Sequence, residues 1–123
     1  MSHIGILCPG AIGHINPMCN LGSELQERGH TVTFLGPPDV GVKVSQTHLN
    51  FHKIGTTDFP LGSLDARYEQ LGQLSGLDGI KFTITFFQEE LKMLLREAPD
   101  AIRALGIDLL LVDQVTTAGG LVD

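Results

Sequence analysis

The chain has 123 residues, of which 42% are hydrophobic and 18% charged, and its net charge is -6. That length supports one domain with a core and is too short for two of ordinary size. The acidic balance argues against a nucleic-acid binder, which needs a basic surface, and no apolar run approaches the roughly 18 residues of a membrane span.

A short apolar run, His3 to Cys8, reads as a buried first strand. It leads into Cys8-Pro9-Gly10-Ala11-Ile12-Gly13-His14-Ile15-Asn16-Pro17, a loop whose glycines permit backbone geometries closed to other residues. Asn16 is a good N-cap and Pro17 a good first helical residue, so a helix is predicted from about Pro17. Met18, Leu21, Gly22 and Leu25 give that helix its inner face, and Gly29 closes it. Thr31 to Leu35, β-branched and alternating, is a second strand broken by Gly36-Pro37-Pro38. Strand, helix and strand together have the size of a βαβ unit with parallel strands and a right-handed crossover.

Asp39 is read as the cap of a short helix over 40–47, and Asn50 to Ile54 as a third strand. Gly55 to Gly76 is irregular, with helical character around Leu64 to Leu71. A connection of that length in a compact domain is usually functional. A helix follows from Leu77 to Leu95, with Phe82, Phe86, Phe87, Leu91, Leu94 and Leu95 on a wide apolar face. Pro99 starts a second helix that runs to Leu105 and ends at Gly106. Ile107 to Val112 is almost uniformly apolar, as expected of a central parallel strand buried on both faces, and Asp113 terminates it. The chain then stops at Leu121-Val122-Asp123, inside what reads as the opening of a helix, so a fragment of a larger protein is expected.

Four strands with helices between them suggest half of an α/β, Rossmann-like doubly wound parallel sheet with spatial order 3-2-1-4. In that order the connections leaving strands one and four diverge, and a crevice opens between their carboxyl ends. His14 follows strand one and Asp113 ends strand four, so residues remote in sequence come side by side. A carboxylate beside a histidine fixes its tautomer and supports the imidazolium as the other nitrogen takes a proton. A helix N-terminus nearby opposes that charge. A plainer reading stays open: a histidine in a loop is commonly a surface residue, and an aspartate after a strand is commonly a helix cap.

Other chemistry is less well supplied. Gly10-Ala11-Ile12-Gly13 lacks the G-x-G-x-x-G pattern of a dinucleotide site, and no acid stands at the tip of the second strand to hold a ribose hydroxyl. His48 and His52 are read across a turn into a strand with no cysteine or acid beside them, so no metal site is expected. The Phe82, Phe86 and Phe87 cluster suits a core, yet it adjoins the long irregular segment where an apolar ligand could lie. Cys8 and Cys19 form no disulfide framework, and no secretory signal is visible, so a cytoplasmic protein is expected.

Gly13-His14-Ile15-Asn16-Pro17, the following amphipathic helix, Arg28-Gly29-His30 and Thr31-Val32-Thr33-Phe34 closely resemble the N-terminus of GT-B glycosyltransferases. Within them the likeness is to the macrolide, UDP-glucosyl and UDP-glucuronosyl transferase group. Asp108 to Asp113 resembles that family's fourth strand and its aspartate, whereas Gly36 to Gly106 matches only in layout. The resemblance implies a truncated N-terminal acceptor-binding domain without its C-terminal donor-binding domain. It implies that His14, paired with Asp113, removes the proton of an acceptor hydroxyl, and that the oxygen displaces a nucleoside diphosphate with inversion. It also implies acceptor contacts from Ile12, Ile15, Phe59, Phe82 and Phe86, and a donor contact from Gly13. No resident cofactor or metal is expected, the co-substrate being a nucleotide sugar such as a UDP-sugar. The expected partner is a largely apolar small molecule bearing a hydroxyl. The fragment alone is expected to be inactive and to self-associate through the exposed edge of strand four. Two alternatives stand beside this reading: a nucleotide-binding Rossmann module and a non-catalytic Rossmann-like binding domain.

Overall fold

In the computed structural model, which describes residues 2–8, 10 and 12–113, the apolar runs form strands β1 (His3–Leu7), β2 (Thr31–Gly36), β3 (Asn50–Lys53) and β4 (Leu109–Val112). Helices α1 (Ile12–Glu27), α2 (Pro38–Val44), α3 (Ser63–Gly72) and α4 (Gly76–Leu105) connect them. All strand pairs are parallel, and the order is β3-β2-β1-β4, as the alternation of strand and helix predicts. Ile4, Ile6, Leu7, Val32, Phe34 and Leu35 are buried on the sheet. Each contributes about 1.5–3 kcal/mol by leaving water.

Helix α1 begins at Ile12, earlier than Pro17, so Asn16 is an exposed interior residue and no cap. Pro17 removes one helical hydrogen bond and costs about 3 kcal/mol. Burial of Ile15, worth about 1.5–3 kcal/mol, offsets most of that. The buried stripe then continues through Cys19 and Gly22, and Leu21, expected inside, is 41% exposed. Gly22 is needed for close approach: a Cβ there would meet Leu49 at 2.9 Å and Ile6 at 3.2 Å. Gly29, at φ 95°, ends the helix as expected.

Helix α4 is likewise continuous through Pro99 and does not divide there. Met93, Leu94, Ala98 and Ala101 keep one buried face on both sides of the proline, and that packing holds the two halves together. Its first half leaves Leu77, Ile80 and Ile84 exposed. Strand β4, expected to be central, is flanked only by β1 among the described residues, with Leu109 52% exposed.

Asp39 was expected to cap its own helix. It lies instead in the first turn of α2, and its buried carboxylate accepts hydrogen bonds from the backbone N–H groups of Gly62, Leu64 and Asp65 at 2.6, 2.9 and 3.1 Å. It therefore closes the N-terminus of α3, whose own preceding residue, Gly62, offers no side chain. At the opposite end of the sheet, the His3 ring spans the Leu105 carbonyl and the Thr33 hydroxyl at 2.9 and 2.7 Å.

Candidate active site

Pairing of Leu7 with Val112 brings the carboxyl ends of β1 and β4 level. The Asp113 backbone N–H donates to the Leu7 carbonyl at 3.0 Å, so the aspartate is held one step beyond the strand by the same ladder. After β1 a short loop turns into α1, whose third residue is His14. Nδ1 of His14 lies 3.0 Å from Oδ2 of Asp113, across 99 positions of sequence. A carboxylate accepts, so this contact fixes the tautomer with the proton on Nδ1 and leaves Nε2 as a lone-pair acceptor. The histidine side chain is 39% exposed and the aspartate 19%, so the supporting end is covered and the imidazole is open to a ligand.

The loop that presents His14 is held from below. Lys43 of α2 donates from Nζ to the Gly10 carbonyl at 2.9 Å and to Oδ1 of Asp65 at 2.8 Å. Gly10 is buried against α3: a Cβ at that position would stand 2.2 Å from Cδ2 of Leu64. Gly10 thus supplies room for a neighbouring helix. Gly13, by contrast, lies in the first turn of α1, exposed, with nothing within 4 Å of a Cβ placed there.

Cys8 follows β1 directly, and the Tyr68 ring approaches Gly10 just beyond it. Burial pushes the Cys8 thiol up to about 12, helped by the charges of Asp113, Cys19 and Glu90. Burial likewise raises Tyr68, with Glu90 as the next cause. Glu90 itself is pushed up to about 7 by desolvation. Sequence reasoning passed over Lys43, Tyr68 and Glu90. Glu90 carried a readable signal, being an acid four residues after Phe86 on the apolar stripe of α4.

The residues expected to contact an acceptor are placed differently from one another. Ile15 and Phe59 are each 1% exposed and Phe86 is 2% exposed, so all three belong to the core. Phe86 is the hub of an aromatic group, with ring centroids 6.0 Å from Phe59, 5.3 Å from Tyr68 and 6.4 Å from both Phe82 and Phe87. The Arg67 guanidinium lies over the Phe59 and Phe86 rings at 5.1 and 5.6 Å and pairs with Glu89. Phe82 is half-buried at the rim of this group. Ile12 opens α1, and its side chain lies outside the described residues. Among the described residues, no group of three or more His, Cys, Asp or Glu side chains could hold a metal ion. His48 lies in a turn and His52 in β3. No described helix is long and apolar enough to cross a membrane.

No family profile matches the chain. It is 34% identical over 122 residues to a zeaxanthin glucosyltransferase of Pantoea ananas, a match covering 99% of this chain and 28% of that protein. A zeaxanthin glucosyltransferase of Pseudescherichia vulneris is 27% identical over the same shares of each. The chain thus spans about 28% of the length of the curated relatives it matches. Among solved structures, the calicheamicin glycosyltransferase CalG4 superposes with a TM-score of 0.68 at 23% identity, over 99% of this chain and 29% of its own. The glycosyltransferase of kitacinnamycin gives 0.70 at 22% identity, over 98% and 27%. The spinosyn rhamnosyltransferase SpnG gives 0.65 at 20% identity, over 97% and 30%. The chain is therefore a relative of glycosyltransferases, and its described residues form part of a GT-B fold.

Proposed function

We propose that this relative of the glycosyltransferases forms the acceptor side of an inverting enzyme that transfers a sugar from a nucleotide donor, such as a UDP-sugar, to a hydroxyl of a largely apolar small molecule. The observation that carries the reading is the contact between His14 and Asp113, made at the carboxyl edge of the sheet where such a fold receives its ligands. Nε2 of His14 takes the proton of the acceptor hydroxyl while Asp113 steadies the imidazolium through Nδ1. The oxygen so activated forms a bond to the anomeric carbon as the bond from that carbon to the diphosphate oxygen breaks. The proton ends on His14 and the electron pair on the departing diphosphate. Gly13, exposed in the first turn of α1, leaves space for the donor to approach that turn's free N–H groups.

The zeaxanthin glucosyltransferase relatives support an apolar hydroxylated acceptor, and the exposed Leu77, Ile80 and Ile84 of α4 suit one. Donor-side residues are assigned to the larger protein, so residues 1–123 alone are inactive in this reading. In the full-length protein, His14→Ala should slow transfer from a UDP-sugar by about 10²–10⁴-fold while calorimetry still shows donor binding. Transfer at the wild-type rate would reject the role of His14.

A further inference from the structure

The turn that carries His14 is weakly tied to its own helix. Pro17 has no N–H, so the bond that residue 17 would make back to the Gly13 carbonyl is missing. Among the described residues, nothing lies within 4 Å of a Cβ placed on Gly13, so that flank of the turn is also unbraced. Support comes instead from upstream, at Gly10, four positions before His14. Gly10 is buried, and the space beside its Cα is filled by Leu64 and the Tyr68 ring. Its carbonyl accepts from Lys43 Nζ at 2.9 Å, and the same ammonium donates to Oδ1 of Asp65 at 2.8 Å. The Lys43 side chain is 23% exposed and Asp65 57%, and an ion pair with so exposed an acid adds little to stability. The bond to Gly10 is the more consequential contact, because a charged donor bonds a carbonyl strongly. Asp39, four residues before Lys43, accepts from the Leu64 and Asp65 N–H groups. Helix α2 thus binds the start of α3 from its first turn and the loop after β1 from its last.

We propose that Lys43 is a positioning residue for His14: by fixing the Gly10 carbonyl it sets where the first turn of α1 begins and so keeps the imidazole on Asp113. The inference rests on the role given to His14 above. Lys43 reaches the reaction only through the backbone of the loop. With the carbonyl released, the loop is free to shift, and Nδ1 of His14 no longer holds its 3.0 Å contact with Oδ2 of Asp113. An imidazole freed from that carboxylate can carry its proton on Nε2, the nitrogen that has to accept from the acceptor hydroxyl. The loss therefore falls on the chemical step and leaves ligand affinity unchanged.

The test uses the full-length protein with three variants, Lys43→Met, Lys43→Arg and Asp65→Asn. Lys43→Met should lower kcat by about tenfold or more with both KM values within about twofold of wild type, since small misplacements of a catalytic group are costly. Asp65→Asn keeps the bond to Gly10 and should stay within about threefold of wild type in kcat. Lys43→Arg keeps the charge and a donor on a differently shaped head, so it should fold as wild type and lose about three- to fivefold in kcat. A second readout needs no turnover: ring ¹⁵N shifts of labelled histidine, assigned with His14→Ala, report the tautomer of neutral His14. Wild type and Asp65→Asn should show the proton on Nδ1, and both Lys43 variants should shift it toward Nε2. Wild-type kcat and tautomer in both Lys43 variants would overturn the proposal, as would equal losses in Asp65→Asn and Lys43→Met. A tautomer that shifts as expected while even wild type transfers no sugar would uphold the positioning and reject the transferase reading instead.

Discussion

The carboxylate of Asp39 accepts a 2.9 Å hydrogen bond from the backbone N–H of Leu64, so a residue in the first turn of α2 closes the start of α3. Two more N–H groups share that carboxylate, and Asp39 is 3% exposed. Asp39→Ala takes the partner from three backbone donors, of which that of Leu64 is buried. A loss of about 2–3 kcal/mol in urea unfolding is expected, with Asp39→Asn in between. Equal stability of wild type and Asp39→Ala would contradict this assignment.

Gly10 couples the same helix to the catalytic loop. A methyl group at this position would overlap Leu64, with 2.2 Å to Cδ2, so the buried Leu64 side chain or the loop must shift. Gly10→Ala should lower kcat/KM for transfer by tenfold or more, since small displacements of a catalytic group are costly. The companion change Leu64→Ala in the same chain frees the space and should restore part of the loss. Failure of that restoration would show that Gly10 acts through its backbone and not through room.

Glu90 ties stability to pH. Its folded-state value of about 7 lies above the 4.5 of an ordinary glutamate. Between those two values the folded protein keeps a proton that the unfolded chain releases. Stability is therefore fully present below pH 4.5 and is lost as pH rises through about 7, by an amount on the order of 3 kcal/mol. Glu90→Gln removes the titration. It should melt higher than wild type at pH 8 and about equally at pH 5, by differential scanning fluorimetry. A pH-independent difference would contradict a titrating Glu90.

A polypeptide limited to residues 1–123 offers the outer edge of β4, which no described strand covers, for pairing with a second copy. Light scattering should show concentration-dependent dimers or larger species. A monodisperse monomer at high concentration would count against pairing at that edge.

The parallel sheet, its order and the meeting of His14 with Asp113 were legible in the sequence. Strand patterns are local, and the crossover rules leave few ways to arrange them. The start of α1 was not legible, because the burial of Ile15 outweighed the local start signal of Asn16 and Pro17. Pro99 failed as a boundary for the same reason, with Ala98 and Ala101 buried on either side. Asp39 and Lys43 act across element boundaries, on α3 and on the loop after β1, and no pattern within a helix announces such a partner. Glu90 differed in kind: an acid within an apolar stripe could be seen, but what it faced could not.

The pairing of His14 and Asp113 is tested most directly by a double-mutant cycle on transfer in the full-length protein. His14→Ala should cost 10²–10⁴-fold in kcat, the usual range for a lost general base, with Asp113→Ala costing less. The double variant should be no slower than about His14→Ala alone, because the carboxylate has nothing left to support. Losses that simply multiply in the double variant would show that the two residues act independently, and the contact at 3.0 Å would then carry no catalytic role.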